Sequence, residues 1–397
     1  MPLDAFAPAR LADLTLRNRV IKTATYEGMC PEGIPSDALV EHHRRLAAGG
    51  VGLTTVAYCA VSPDGRTFAE QMSMRPETVA PLRRVTDAVH REGGAASLQL
   101  GHCGWFTKNA ELSTWLPRGP SLSLNPYGIS AGRPLALAMN AREIEAVIED
   151  FGRASGLARE AGFDAVELHL GHGYLLSQFL SPATNRRSDG FGGGIDGRAR
   201  LSLEVLRRVR EVVGAGFPIL CKMNLRDGFR GGMELPDALA LARLLEAGGA
   251  SALVLTGGFT SKSPFYLFRG RRPLEEMIAA EKSRLQKLVL RRFGTRVIRE
   301  YPFEEMFFLP QAREVRAAVR MPLVLLGGIV SRSNVEAAMV EGFEFVALGR
   351  ALIADPERVR RMAGDAGTRS RCNHCNVCVA EMDIGGVRCV LDDGVAA

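Results

Sequence analysis

Eight short apolar runs rich in Val, Ile, Leu and Thr alternate with helix-patterned segments, and nothing else in the chain restricts its fold as tightly. The runs are Val20–Thr25, Val51–Tyr58, Ala95–Leu100, Ala165–Leu170, Pro218–Asn224, Ala252–Gly257, Pro322–Gly328 and Phe345–Arg350. Most lack strict polar/apolar alternation, as expected of parallel strands buried on both faces. The helical segments are Asp37–Ala48, Thr78–Arg91, Ala141–Ala161, Arg200–Val213, Pro236–Ala247, Gln311–Val319, Asn334–Glu341 and Pro356–Met362. Ser36 stands as a cap, and the pairs Gly49-Gly50, Gly93-Gly94 and Gly248-Gly249 close helices where a left-handed residue is needed. Alternating β and α elements give either a doubly wound sheet or a closed barrel, and eight units favour an α/β fold of the (β/α)8 TIM barrel type. The 397 residues are long for one domain, but such barrels reach this length through insertions.

Composition narrows the partners. No stretch of 18 apolar residues occurs, and Met1 to Arg19 lacks a basic region followed by an apolar one, so neither a membrane span nor a secretory signal is expected. The cytoplasm is the expected compartment. The net charge is +6, but the basic groups Arg207-Arg208, Arg269 to Arg272 and Arg358 to Arg361 are mixed with acids. No long basic arm or aromatic-interleaved patch appears, so nucleic acid and membrane are not expected partners. A phosphorylated cofactor or substrate suits the basic balance. Assembly into a homo-oligomer stays open.

Three connections are too long for turns: 101–140, 171–199 and 258–310. All follow strand C-terminal ends, the face where barrel active sites form. They carry Trp105, Phe106, Trp115, Phe265, Tyr266 and Phe268, which predicts ordered lids.

The most informative stretch runs from Val166 to Arg200. His169 ends a strand, and His172 and Tyr174 follow at once. One such histidine is more often a satisfied core residue than a functional one; three proton-capable side chains at one strand end favour chemistry. At the other end of the barrel order, Gly327-Gly328 and Gly349-Arg350 close consecutive strands. Glycines there admit a phosphate to the backbone, and Arg350 adds a donor fork. Finally, Cys372-x2-Cys375-x2-Cys378-x10-Cys389 has the spacing of a metal site in a chain where disulfides are not expected. This divides the chain into a barrel, 1–364, and a cysteine-rich metal-binding segment packed on it, 365–397.

These residues resemble the old yellow enzyme family across nearly the whole chain. The family's signature is matched by His169-Leu170-Gly171-His172-Gly173-Tyr174, Gln178–Pro182, Asn185-Arg186-Arg187 and Gly192-Gly193, with further matches at Leu16–Arg19, Val51–Leu53 and Gln99–His102. The resemblance implies FMN as cofactor, NAD(P)H as reductant and a small-molecule substrate. It implies that His169 and His172 bind a substrate carbonyl oxygen, that Tyr174 donates a proton, and that Gln99 and Lys222 face the flavin ring. Gly327, Gly328, Gly349 and Arg350 would hold the phosphate. The implied reaction is reduction of activated C=C bonds of α,β-unsaturated carbonyl compounds, with NAD(P)H and substrate alternating. The chain departs from the family pattern in its first two strands, where Thr25, Tyr26 and Tyr58 stand at the flavin edge. The cysteine segment resembles the iron–sulfur segment of the branch containing 2,4-dienoyl-CoA reductase, although that branch has its second and third spacings one residue longer. It implies a [4Fe-4S] cluster served by an external electron partner, with zinc, and His374 as a substitute ligand, as the alternative. Competing readings are an amine dehydrogenase or demethylase, a Schiff-base aldolase using Lys222, and a non-catalytic redox- or metal-responsive protein using its cysteines.

Overall fold

The structure, a computed structural model, describes residues 3–281 and 283–393; positions 394–397 of the cysteine-rich segment lie outside the described residues. Eight parallel strands form a closed barrel in which each pairs with its sequence neighbour and the last pairs with the first. They are β1 (Val20–Lys22), β2 (Leu53–Ala60), β3 (Ala95–Gly101), β4 (Ala165–Leu170), β5 (Ile219–Asn224), β6 (Ala252–Thr256), β7 (Leu323–Leu326) and β8 (Phe345–Leu348). The helices outside them are α1 (Asp37–Ala48), α2 (Pro76–Arg91), α3 (Ala141–Glu160), α4 (Ile195–Val213), α5 (Leu235–Ala247), α6 (Leu309–Ala318), α7 (Arg332–Val340) and α8 (Arg358–Gly364). The expected TIM barrel is therefore present.

Local chemistry starts these helices. Ser36 Oγ accepts Leu39 N–H at the head of α1. Asn140 and Glu143 cap each other's backbone at the head of α3. Boundaries moved where the chain bends into the barrel mouth: β1 ends at Lys22 rather than Thr25, and α4 begins at Ile195, ahead of Arg200.

The strands are buried on both faces, as their unbroken apolar runs demand. One set of side chains, including Val20, Val56, Leu98, Leu168, Cys221 and Leu255, packs outward on the helices. The other, including Ile21, Leu53, Leu220, Val254, Val324 and Phe345, fills the barrel interior. A short hairpin, Ala9–Leu11 with Leu14–Leu16, joins this inner cluster through Ala9, Leu11 and Leu16 and closes the barrel floor. The sequence reading had no strand there.

The three long connections carry secondary structure of their own. The first holds a small sheet built from Arg118–Gly119, Ser123–Leu124 and Leu135–Ala138, the second the helix Leu175–Leu180, and the third the helices Leu274–Ala280 and Arg284–Val297. No helix among the described residues is long and apolar enough to cross a membrane.

Residues 370–393 strap two of the mouth's walls. Val387 N–H donates to Glu27 O at 2.7 Å on the loop after β1. Arg271 N–H donates to His374 O at 3.1 Å on the third connection.

Candidate active site

Period-two alternation aims Glu167 and His169 of β4 into the barrel, and the same rule sends Lys222 inward from β5. Glu167 Oε1 accepts Gln99 Nε2 from β3 at 2.7 Å and lies 3.6 Å from Lys222 Nζ. Lys222 Nζ also donates to Thr23 Oγ1 at 2.8 Å. Burial lowers the Lys222 ammonium from its usual value, with Glu167 opposing that shift. The cation and the amide thus sit side by side at the bottom of the mouth. Thr25 Oγ1 donates to Thr23 O at 3.3 Å, and Gly349 faces the same pair of threonines. Tyr26 packs edge-on against Phe68, with ring centroids 5.8 Å apart.

Beyond β4 the chain turns sharply. His172 holds a left-handed φ of 60°, uncommon for a side chain with a Cβ and characteristic of constrained sites. Its N–H donates to Asn224 Oδ1 at 3.1 Å, and its carbonyl accepts both the N–H and the hydroxyl of Thr260, each at 2.9 Å. A Cβ on Gly173 would stand 2.4 Å from the Phe259 ring, so the turn needs glycine there. This strapping brings the expected trio together: the His169 ring centroid lies 4.9 Å from those of both His172 and Tyr174. A register shift in β2 between Val56 and Cys59 carries Tyr58 into the same group, 4.9 Å from Tyr174, while its hydroxyl donates to Gly65 O at 3.2 Å.

Both histidines are neutral. Burial pulls His172 down to about 3, with Lys222 adding to the effect. Burial, His172 and Lys222 together hold His169 well below the usual range. His172 Nε2 is 2.9 Å from Thr256 Oγ1, whereas His169 Nδ1 is buried with no hydrogen-bond partner. Burial raises the Tyr174 phenol above its ordinary value, and a hydrogen bond to Thr260 works against that. The phenol is therefore a protonated donor beside two neutral imidazoles. An amide and a cation side by side at the bottom of the mouth fit a flat heteroaromatic ring with acceptor carbonyls, as a flavin has.

At the phosphate end, Gly327 and Gly328 have φ of 99° and 74°, and a Cβ on either would strike Phe308 or the backbone of 304–306. Arg350 reaches the third connection and the cysteine segment. Its guanidinium donates to Arg269 O at 2.8 Å and Asn376 Oδ1 at 2.5 Å, and it is electrostatically coupled to Cys372, Cys378 and Cys375.

Cys372, Cys375, Cys378 and Cys389 are all half-buried, and Cys378 feels the charges of the other three. No three of their sulfurs lie within 4.8 Å of one another among the described residues. The His374 ring stacks on Phe303, with centroids 3.4 Å apart.

Sequence comparison decides the lineage. The profile of the NADH:flavin oxidoreductase / NADH oxidase family matches residues 4–254. The chain belongs to this family. It is 43% identical over 391 residues to 4,4'-dithiodibutanoate disulfide reductase of Rhodococcus erythropolis, covering 98% of this chain and 95% of that one. It is 31% identical to NADH oxidase of Thermoanaerobacter brockii over 94% of its own length but only 53% of the relative's. The fold matches the old yellow enzyme homologue from Zymomonas mobilis with a TM-score of 0.72 at 22% identity, covering 94% of this chain and 96% of that one. The protein is accordingly an FMN-dependent NAD(P)H oxidoreductase of the old yellow enzyme type.

The histidines, tyrosine, amide and cation singled out in the sequence of this oxidoreductase come together at one mouth. Sequence reasoning missed Glu167, Asn224, Thr256, Thr260 and Asn376. Glu167 was within reach, since two residues before an inward His169 a strand side chain faces inward too. The others sit on other strands or loops and carry no local signal.

Proposed function

We propose that this oxidoreductase reduces the activated C=C bond of α,β-unsaturated carbonyl compounds. The observation that carries the reading is the unpaired Nδ1 of neutral His169 beside His172 and the protonated phenol of Tyr174. His169 and His172 hold the substrate oxygen and stabilise the negative charge that grows on it, which donors already fixed in a buried site do without reorganisation. Tyr174 delivers the proton to the α-carbon, its hydroxyl oriented by Thr260. Gln99 and Lys222 hold the ring edge of FMN, and the glycines at the ends of β7 and β8 admit its phosphate. When bound and reduced by NAD(P)H, FMN supplies the hydride. The four cysteines hold a [4Fe-4S] cluster, with zinc as the alternative, and the Arg350 guanidinium offsets their charge.

The relative at 43% identity supports a second substrate class, small organic disulfides bearing carboxylates. Here the same donors would steady the departing thiolate.

A visible spectrum of anaerobic protein, before and after NADPH, tests the cofactors: a flavin double band should bleach, leaving a broad brown shoulder. Tyr174→Phe should slow alkene turnover about 100-fold and spare flavin reduction. Unchanged alkene turnover with lost disulfide turnover would favour the second class.

A further inference from the structure

Away from the mouth, between the outer wall of β1 and β2 and helix α1, a second set of ligand-type side chains converges. Lys22 and Glu27 are fully buried there and pair at 2.6 Å. Helix α1 brings His42 and His43 to the same carboxylate. One ligand atom from each of Glu27, His42 and His43 lies within 4.8 Å of the others, the only such group among the described residues.

The hydrogen bonding of this group is incomplete. The Nε2 atoms of both histidines are shielded from solvent and lack a hydrogen-bond partner. His43 Nδ1 is anchored 2.7 Å from Thr54 Oγ1, which leaves Nε2 facing Glu27. That nitrogen stands 3.4 Å from Glu27 Oε1. The separation is long for a hydrogen bond. It matches the edge between two donors on a tetrahedral ion, about 3.3–3.5 Å for bonds of about 2.0–2.1 Å.

The surroundings also suit a ligand set. Lys22 donates to Oε1, and Ala57 N–H donates to Oε2 at 3.1 Å, which fixes the carboxylate from behind. His42 lines a cavity of about 870 Å³ bounded by α1, residues 352–357 and residues 387–392, which supplies a route in and room for water.

We propose that Glu27, His42 and His43 bind a divalent transition-metal ion such as Zn2+ or Co2+, with water from this cavity completing the shell. The Lys22 ammonium opposes the incoming charge and weakens the site without closing it, because a carboxylate oxygen has a second lone pair. Occupancy reaches the cysteine segment directly, since Glu27 O accepts the N–H of Val387, two residues before Cys389.

The test is anaerobic Co2+ titration of the full chain after chelator treatment, followed by difference spectra and bound-metal analysis. Nitrogen and oxygen ligands give weak visible bands, whereas thiolates add intense near-ultraviolet charge transfer. The expected result is one Co2+ per chain that shows the weak bands without charge transfer, in addition to any ion the cysteines take up. His42→Ala should lower its affinity at least 30-fold with circular dichroism unchanged, and Lys22→Met should raise it at least 10-fold. If His42→Ala binds as tightly as the unaltered chain, or if every bound Co2+ shows thiolate charge transfer, the proposal fails. Neither outcome touches the flavin reading, which rests on other residues.

Discussion

Glu167 has two duties at the bottom of the mouth. By accepting from Gln99 Nε2 it fixes which way that amide points and leaves the amide oxygen free to accept. By standing 3.6 Å from Lys222 it offsets a cation that is 2% exposed. An unpaired buried charge is costly, and hydrogen bonds to charged groups contribute about 1.5–3 kcal/mol. Glu167→Gln preserves shape while removing the charge and the defined amide orientation. It should weaken FMN binding between about 10- and 100-fold, the range those energies convert to, as read by flavin fluorescence on titration. Unchanged affinity would mean that Gln99 and Lys222 are held by Thr23 and the backbone alone. The neutral His169 tells a related story: a buried nitrogen without a partner is tolerated where a ligand completes it.

Among the elements, the loop after β1 and the cysteine segment depend on each other's backbone. Gly28 has a φ of 68°, and a Cβ there would sit 2.1 Å from Met382 O. Gly28→Ala should lift residues 378–389 from the barrel, destabilise the protein by about 1–3 kcal/mol and expose that segment to limited proteolysis. Gly214→Ala is the control: its φ of 86° carries backbone strain, but nothing lies within 4 Å. It should lower thermal stability slightly and leave the segment protected. The barrel strands and helices were legible because each is a long run with one period and a clear cap. The floor hairpin was not, because strands of three residues show no period. The helices Leu274–Ala280 and Arg284–Val297 were not, because the first buries no side chain and the second only Gly294. The contact of Arg350 with Asn376 was hidden because it is set by the fold of a segment 26 residues on. The Lys22–Glu27 pair was likewise hidden, since a lysine in an apolar run gives no hint that the chain folds back over it.

Across the whole molecule, six of the seven histidines are held below their ordinary proton affinity, burial being the largest cause for each. His102 and His374 fall to about 4 and His172 to about 3. The unfolded chain binds these protons near pH 6.5, so it gains protons before the native state as the solution is acidified. This stabilisation is complete above about pH 6.5 and is lost progressively below it. His90, raised by its hydrogen bond to Asp164, runs the opposite way but is largely solvated. Thermal melting should therefore drop by several degrees between pH 7.5 and pH 5, and a flat profile would contradict the burial of these rings. The ring of strands has a consequence for biosynthesis. Val20 of β1 pairs with Val346 of β8, so the first strand waits for a partner made roughly 300 residues later. At ribosomal speeds of about 5–20 residues per second, that edge stays open for about 20–60 s. During that interval the nascent chain offers one unpaired strand edge to any neighbour.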